Sequence, residues 1–561
     1  MFADIIQREI GMKKSSLYLL SILIYAATAH TQAINENTTL LGKLAPPRGG
    51  RNSFKYADVW GYNAPDGREY AIIGCYDGTS IIEVTDPANP VERAFIAGPQ
   101  AFYIWREIRT YSHYAYVTQD GVNNNPNHGI QIIDLSQLPA TATLVNTYKA
   151  NLPSGTAHNL YIDDGYAYLS GTQTGSSIVI LSLKDPVNPV EVSRWGARYW
   201  HDVIVKNDTI YGSAGASARV EIVDGRNKIG LQLISEAVYP SGYTHNAWMT
   251  DDNCYFVQTD EVHDLPVNFW DVTDHQTPEL AATYHGGPGS IAHNVQVLGN
   301  LAFLSYYYDG LKVLDISQRR APVEVANYDT FPDDNLQRGF GYDGAWGVFP
   351  FLASGNILIS DVKYGLQLIK FNDTQAGHIS GTIKNKNTLS PLSDVSIELL
   401  NRNLDEGYTI VKVGLDGKYI FGAKPGIRSF RFRKDGYADF ILSDISIQAG
   451  AVQEQDILMD SGTTGVNDSP RLPTSLELLQ NYPNPFNPST TIRWRQPAPG
   501  VALISIFNHL GQHVAAFKTL ETSVGEKQFT IGLKSFASGI YFYRINVNGM
   551  VSEIKKMVLM R

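Results

Sequence analysis

The chain has 561 residues, a formal net charge of −10 and 18% charged residues, with 32 tyrosines and 49 glycines. This composition favours strands and tight turns over long helices, and an acidic balance without a basic stripe argues against a nucleic-acid partner. The 2 cysteines, Cys75 and Cys254, both fall in apparent strands, which predicts two buried free thiols rather than a disulfide.

The N-terminus has the pattern of an export signal. Lys13 and Lys14 precede the apolar run LYLLSILIYAATA, which ends in a small-x-small cleavage form. Residues 1–33 are therefore predicted to be a signal peptide for export to the periplasm, with Met12 as an alternative start. The run is too short for a transmembrane span, and no later apolar run is long enough, so no span is expected.

A repeat fills the first two thirds of the chain. Each unit has an anchor residue, a hairpin such as HNVQVLGNLAFLS, and then a strand ending in an Asp-x-Ser/Thr pattern such as GLKVLDISQ. Four strands per unit at this spacing are typical of β-propeller blades. The anchors, which lie 43 to 53 residues apart, are Trp60, Arg106, His158, His201, His245, His293 and Trp346.

The seventh unit lacks an outer strand. The segment TTLLGKLAP before the first unit is predicted to supply it and to join the two ends of the repeat region. Residues 38–372 are therefore predicted to form a seven-bladed β-propeller, because blades bury their faces only against neighbours and the ring must close.

Two repeat segments carry a resemblance to known families. GTSIIEVTDPANPVE and GLKVLDISQRRAPVE resemble the LVIVD repeat, and with DVWGY and WREIRTYSHYAYV the set resembles the choice-of-anchor B family. The resemblance implies an exported bacterial β-propeller with a variable C-terminal anchoring device, and it carries no activity with it.

Two smaller modules follow. Residues 377–459 resemble a carboxypeptidase regulatory-like domain, which implies an Ig-like or prealbumin-like spacer or binding module, and 460–475 has the composition of a linker. Residues 476–561, with LELLQNYPNPFNPSTTIRW, resemble the type A sorting domain of the type IX secretion system. That resemblance implies recognition by the type IX machinery, removal of the domain, and release or surface attachment. The predicted fold is all-β, a propeller followed by two small Ig-like β-sandwich domains.

The four anchor histidines leave two alternatives open. Each could be a structural residue of its own blade, bonded to the next blade's backbone. They could instead meet a divalent metal at the axis, because imidazole is the commonest ligand for transition metals. The residues concerned are His158, His201, His245 and His293. Arg106, at the equivalent position of the second unit, could bind an anion or another ligand beside them.

Two loops offer further candidates. Asp120 lies in the Asn-rich segment TQDGVNNNPNHG, which is either an ordinary turn or a calcium loop of unusual spacing. The segment TDEVHDLP is either a solvated loop or a metal or ligand contact through Asp260, Glu261, His263 and Asp264.

These observations predict an exported propeller scaffold, secreted or held at the outer cell surface, that displays loops to a glycan or protein ligand. The alternative is a secreted metalloenzyme with a four-histidine site on the axis. No catalytic motif such as G-x-S-x-G, H-E-x-x-H or a P-loop occurs, and no organic cofactor site is indicated.

Overall fold

The computed structural model describes residues 35–50, 54–99, 105–120, 129–149, 157–172, 175–240, 242–287, 289–332, 342–400, 402, 407–461, 476–497, 500–509, 511–521, 525–533, 536–547 and 550–560. The predicted signal peptide, all but two residues of the predicted linker, and most of the Asn-rich loop lie outside these ranges. Among the described residues, no helix has the length and apolar character needed to cross a membrane.

The described part of the propeller region consists of β-strands that pair in chain order into antiparallel sheets. After β1 (Thr38–Leu44), the strands of the first three sheets are β2 (Tyr56–Asn63), β3 (Glu69–Cys75), β4 (Gly78–Glu83), β5 (Val91–Ala97); β6 (Ile108–Tyr111), β7 (Tyr114–Val117), β8 (Ile130–Asp134), β9 (Thr143–Tyr148); and β10 (Asn159–Asp163), β11 (Tyr166–Ser170), β12 (Ile178–Ser182), β13 (Val190–Trp195).

The next four sheets repeat this order. Their strands are β14 (Asp202–Lys206), β15 (Thr209–Ser213), β16 (Arg219–Asp224), β17 (Gln232–Val238); β18 (Thr244–Met249), β19 (Tyr255–Asp260), β20 (Val267–Asp271), β21 (Glu279–His285); β22 (Val295–Leu298), β23 (Leu301–Ser305), β24 (Leu311–Asp315), β25 (Val323–Tyr328); and β26 (Ala345–Phe349), β27 (Ile357–Asp361), β28 (Gly365–Phe371).

The last of these sheets takes its outer strand from the start of the chain. β1 pairs antiparallel with β28, and Thr38 lies opposite Phe371, which confirms the closure predicted from TTLLGKLAP. The first strands of successive sheets contact one another, and β26 contacts β2. The first strands therefore face each other around a common axis.

The middle strands of each sheet do not alternate between apolar and polar residues, because they are buried on both faces. All of β3 is buried, and so is nearly all of β12, because both faces of each sheet pack against neighbouring sheets. The Asp-x-Ser/Thr pattern has a local cause: the carboxylates of Asp134, Asp271 and Asp315 accept hydrogen bonds from the backbone N–H two residues later. These Asx turns end the third strand and redirect the chain to the outer strand.

The register of the first sheet corrects one predicted anchor. Tyr56 pairs with Cys75 in β2 and β3, as Thr244 pairs with Asp260 and as Ala345 pairs with Asp361. The anchor is the residue directly after Tyr56, Thr244 or Ala345. The first sheet therefore has Ala57 as its anchor, where the fifth and seventh sheets have His245 and Trp346. Trp60 lies three residues further along. All three first strands contain the same bulge, but the first hairpin is longer: Trp60 pairs with Ile72, whereas Trp248 pairs with Val257.

The prediction of two buried thiols is wrong for one cysteine. Cys75 is buried at the end of β3, whereas Cys254 lies in the turn before β19 and is half-buried. Both thiols are free, as predicted. Asp252 shapes that turn, because its carboxylate accepts the Cys254 N–H, and the turn leaves the side chain near the surface.

The second module packs two sheets over one apolar core that includes Phe430, Phe432 and Met459. One of its strands also extends the fifth sheet of the propeller region, where His285 of β21 lies opposite Tyr408. Its strands are β29 (Gly377–Asn385), β30 (Ser396–Leu399), β31 (Tyr408–Val411), β32 (Lys418–Ala423), β33 (Gly426–Arg433), β34 (Phe440–Ile447), β35 (Val452–Glu454) and β36 (Ile457–Met459).

The third module also consists of two sheets around an apolar core, which contains Trp494 and Tyr543. Its strands are β37 (Glu477–Leu478), β38 (Ser489–Gln496), β39 (Gly500–Phe507), β40 (His513–Glu521), β41 (Gly525–Gly532), β42 (Gly539–Val547), β43 (Met550–Val551) and β44 (Lys555–Leu559).

Candidate metal centre

The four anchor histidines lie side by side at the ends of the first strands. The ring centroids of His158 and His201 are 4.0 Å apart, those of His201 and His245 are 4.2 Å apart, and those of His245 and His293 are 4.2 Å apart. The repeat therefore places four imidazoles from four successive sheets in one continuous row, which is called the histidine row below.

Hydrogen bonds from side-chain hydroxyls of one sheet to backbone carbonyls of the next hold the anchors in place. A hydroxyl at the end of the second strand in one sheet donates to the anchor carbonyl of the next sheet. The donor and acceptor pairs are Thr118 with His158, Ser170 with His201, Thr259 with His293, and Ser305 with Trp346. Because Trp346 shares this bond, the backbone position does not itself require a histidine.

Carboxylates orient the first two imidazoles. The Nδ1 of His158 lies 2.8 Å from Asp120 Oδ2, and the Nδ1 of His201 lies 3.0 Å from Asp202 Oδ1. The other Asp202 oxygen accepts the Asn246 amide at 2.9 Å. Burial raises the pKa of Asp202, but the hydrogen bond and charge of His201 outweigh it, so the pKa is lowered well below its ordinary value.

The other two imidazoles have different surroundings. His293 donates from Nδ1 to the carbonyl of Trp346 at 2.6 Å, which is the bond to the next sheet that the structural alternative predicted. His245 Nε2 lies 3.8 Å from Glu261 Oε2, and Tyr307 donates its hydroxyl to the other Glu261 oxygen at 2.6 Å. Burial raises the pKa of Glu261 to about 7.

Burial and mutual repulsion keep most of the row neutral. Burial lowers the pKa of His158, but its bond to Asp120 outweighs burial and raises the pKa overall. Burial and the charge of His158 lower the pKa of His201. Burial lowers the pKa of His293 to about 3, and burial with both neighbours lowers that of His245 well below its ordinary value. Neutral imidazoles are the form that binds metals.

Two overlapping groups of donors could hold an ion. The ligand atoms of His158, His201 and Asp202 all lie within 4.8 Å of one another, and so do those of His201, His245 and Glu261. Ligands about 2 Å from a tetrahedral zinc lie roughly 3.3 Å apart, so small side-chain rotations would close either group. Two imidazoles and a carboxylate suit zinc or another first-row divalent metal.

His245 supplies an independent sign of a ligand. Its side chain is buried, yet its Nδ1 has no hydrogen-bond partner among the described residues. A buried polar atom without a partner costs about 1–3 kcal/mol. Coordination of a metal ion by His245 together with the neighbouring donors would offset this free-energy cost.

Arg106 does not join the histidine row. Its side chain is fully buried, and it donates from Nε to the carbonyl of Cys75 at 2.9 Å and from Nη1 to Gln119 at 3.2 Å. Burial lowers its pKa to about 10. The guanidinium is thus used in the packing of the second sheet against the first, and an anion-binding role stays a prediction.

The TDEVHDLP segment is not the solvated loop that the sequence suggested. Asp260 is fully buried at the end of β19 and accepts the Tyr239 hydroxyl and the Tyr243 N–H. His263 and Asp264 both bond the backbone of Gly289. Only Glu261 of the four reaches the histidine row, because it is the first residue beyond the strand end.

Sequence reasoning missed two partners of the row. Asp120 was singled out for calcium, but the structure pairs it with His158, and residues 121–128 lie outside the described part of the chain. Tyr307, which supports Glu261, lies two residues after Ser305, the hydroxyl that bonds the next anchor carbonyl. A useful signal for Asp120 was its position two residues after Thr118, the hydroxyl that fixes the next anchor.

Comparisons with known proteins agree with parts of this organisation. Residues 480–560 match the secretion system C-terminal sorting domain, and residues 289–330 match the LVIVD repeat. No curated protein matches the chain. Among solved structures, the WD40 β-propeller domain of Doa1 is similar over 59% of this chain and 97% of that chain, at 10% identity and a TM-score of 0.42. This chain thus carries an LVIVD repeat and a C-terminal sorting domain that points to secretion through the type IX system.

Proposed function

We propose that this protein is an exported seven-bladed β-propeller that binds a divalent transition metal through its histidine row. The observation that carries the proposal is the convergence of His201, His245 and Glu261, whose ligand atoms lie within 4.8 Å of one another in a buried site. The site joins neutral imidazoles, a carboxylate and a buried imidazole nitrogen without a partner.

The other modules serve delivery and display. The match to the sorting domain supports handling of residues 476–561 by the type IX machinery and a secreted or cell-surface location. The second module is proposed to be a carboxypeptidase regulatory-like, Ig-like spacer, because its strand β31 attaches it to the propeller. The third is proposed to be Ig-like, and the whole architecture to be of the choice-of-anchor B type.

Metal binding is tested on the full-length protein after chelation and dialysis. Calorimetric titration with Zn²⁺ and Mn²⁺ should show saturable binding that His201→Gln with His245→Gln abolishes. His113→Gln is the matched control, since the His113 side chain is 41% exposed and remote from the row. Absence of binding by the wild type, or unchanged binding by the double variant, would refute the proposal.

A catalytic role is the second candidate. A group of three protein ligands leaves a coordination position open, which is the usual arrangement of catalytic rather than structural zinc. Hydrolysis of chromogenic esters and phosphoesters by the zinc-loaded protein, lost in His245→Gln, would support it. A protein that binds zinc but turns over none of these substrates would instead be a metal-stabilised scaffold for surface ligands.

A further inference from the structure

A second site lies further along the first strands, three residues after the anchors. Register with His245 and Trp346 places Trp248 and Phe349 there, and the corrected anchor Ala57 places Trp60 there. Arg109 and Tyr161 follow Arg106 and His158 by the same count in strands that lack this bulge, and they line the same cavity. The positions used below are Trp60, Arg109, Tyr161, Trp248 and Phe349, and they are called the aromatic layer.

The aromatic layer forms one wall of connected rings. Trp248 stacks on Phe351 with centroids 5.8 Å apart and planes inclined by 24°. Tyr161 meets Trp248 edge-on at 5.9 Å, and Phe349 joins Trp60 at 4.9 Å. Because these side chains come from four different sheets, the rings meet across the space that the first strands enclose.

These rings border an open cavity of about 440 Å³, a size typical of small-molecule sites. Trp60, Tyr161, Trp248 and Phe351 are half-buried, so each leaves part of a ring accessible. Thr110 and Ser112 also line this cavity. The lining therefore combines apolar faces with a few polar groups.

Arg109 provides the polar centre. Its guanidinium carbon lies 4.2 Å from the Trp60 ring centroid, and only 8% of the side chain is exposed. Nη1 donates to the Ile108 carbonyl at 2.6 Å and to Asp58 at 3.4 Å. Nε is buried and has no partner among the described residues. A ligand oxygen would satisfy this N–H after a small side-chain rotation exposes it to the cavity.

Charge argues for an uncharged ligand. Asp58 and Glu107 both lie within 4.0 Å of the Arg109 guanidinium. Burial raises the pKa of each carboxyl group, and that of Glu107 also rises through the charge of Asp58. The pair therefore favours a single negative charge, which balances the single positive charge of Arg109. Neither an anion nor a cation gains from entering such a site.

We propose that this cavity binds a neutral sugar residue of a glycan. A pyranose ring has C–H faces that pack on aromatic rings, whose faces are electron-rich. Its hydroxyl and ring oxygens accept hydrogen bonds, and Arg109 Nε is a buried donor in need of an acceptor. Thr110, whose hydroxyl accepts the Trp60 indole N–H at 3.2 Å, keeps an O–H that can donate to a sugar oxygen.

The test titrates the full-length protein with maltohexaose, cellohexaose, laminarihexaose and chitohexaose. Binding is followed by calorimetry and by tryptophan fluorescence, since Trp60 and Trp248 line the cavity. Hexagalacturonic acid and a proline decapeptide are the charged and peptide counter-probes. We expect saturable binding of at least one neutral hexasaccharide and none of either counter-probe.

Variants then locate the binding. Trp248→Ala should weaken it at least about tenfold, the loss of one good aromatic contact, whereas Trp105→Ala, at a side chain that is 42% exposed, should leave it unchanged. Phe351→Ala replaces Trp248→Ala if the latter melts early. Absence of binding by all four saccharides, binding of only a counter-probe, or full retention of affinity in the cavity variants would overturn the proposal.

Discussion

The two halves of the anchor ring share a backbone and differ in their side chains. The third to sixth sheets present His158, His201, His245 and His293, whereas the seventh, first and second present Trp346, Ala57 and Arg106. The Ser305 hydroxyl bonds the Trp346 carbonyl as the Ser170 hydroxyl bonds that of His201. The bond between sheets therefore forms with or without histidine, so a role specific to the four histidines lies in their side chains.

The polar position after each anchor does not follow this division. In the histidine half, Asp202 joins His201 to Asn246, and Asn246 in turn accepts the backbone N–H of Val295. In the first sheet, which has no histidine, Asp58 accepts the backbone N–H of Ile108 in the same way. What the histidine half adds is the contact between Asp202 and an imidazole.

The largest expected difference between the halves is in acid stability. The pKa of His293 is about 3 in the fold and about 6.5 when unfolded. Between these values the unfolded chain binds more protons, so the free energy of unfolding decreases as pH falls, by about 5 kcal/mol when complete. At a pH of about 4, the decrease in His293→Gln should be smaller than in the wild type by about 3 kcal/mol. Urea denaturation at a series of pH values measures this difference.

Glu261 opposes this effect, because its raised pKa of about 7 makes the folded state take up a proton as pH falls from 7 towards 4.5. The comparison of wild type with His293→Gln cancels that contribution. His113→Gln, at an exposed site, should keep the wild-type slope. An unchanged slope in His293→Gln would show that this imidazole is not held neutral by burial.

A second test removes the carboxylate that organises the row. Asp202→Ala should destabilise the protein by about 3 kcal/mol, because His201 and Asn246 each lose a buried acceptor. Asn294→Ala, at the same repeat position, removes only a 3.3 Å bond to the Trp346 carbonyl and should cost about 1 kcal/mol. Equal losses in chemical denaturation would contradict the special role of the histidine half.

A third test concerns metal affinity rather than folding. Tyr307→Phe removes the hydroxyl that holds Glu261, so Zn²⁺ should bind about 10–100-fold more weakly, as is usual for groups that orient a ligand. Tyr308→Phe removes a hydroxyl that bonds Asp343 and should not change the affinity. Competition with a fluorescent chelator gives the dissociation constant of each variant. Equal constants would show that Glu261 is not a ligand of the metal.

Sequence spacing predicted the repeat well because every sheet uses the same strand order. It placed six of the seven anchors in register and anticipated that β1 completes the last sheet. It misplaced Trp60 because the first hairpin is three residues longer than that of the fifth sheet: Trp60 pairs with Ile72, whereas Trp248 pairs with Val257. The match of residues 480–560 confirms the predicted sorting domain.

The site was only partly predictable. The repeat indicated that the histidines share a layer, but the 4 Å spacing of their rings depends on side-chain directions that no periodicity fixes. Asp120 and Glu261 reach the row from the ends of second strands, where each lies just beyond the residue that bonds the next anchor. Tyr307 holds the same position after Ser305, but its hydroxyl bond to Glu261 of the neighbouring sheet is a tertiary contact that the repeat does not specify.

The smallest expected effect tests the premise that the backbone treats both halves alike. Ser170→Ala removes a 2.8 Å bond to the carbonyl of His201, and Ser305→Ala removes a 2.6 Å bond to the carbonyl of Trp346. Ser170→Ala should cost about 1 kcal/mol in urea denaturation, since one neutral hydrogen bond is lost, and Ser305→Ala about 2 kcal/mol, since its hydroxyl also accepts the Asn294 N–H at 3.1 Å. Metal affinity should be unchanged in both, because the His201 N–H keeps its bond to the Ser213 carbonyl and Trp346 is not a metal ligand. A much larger loss for Ser170→Ala would mean that the histidine row, and not the repeat, is what the hydroxyl supports.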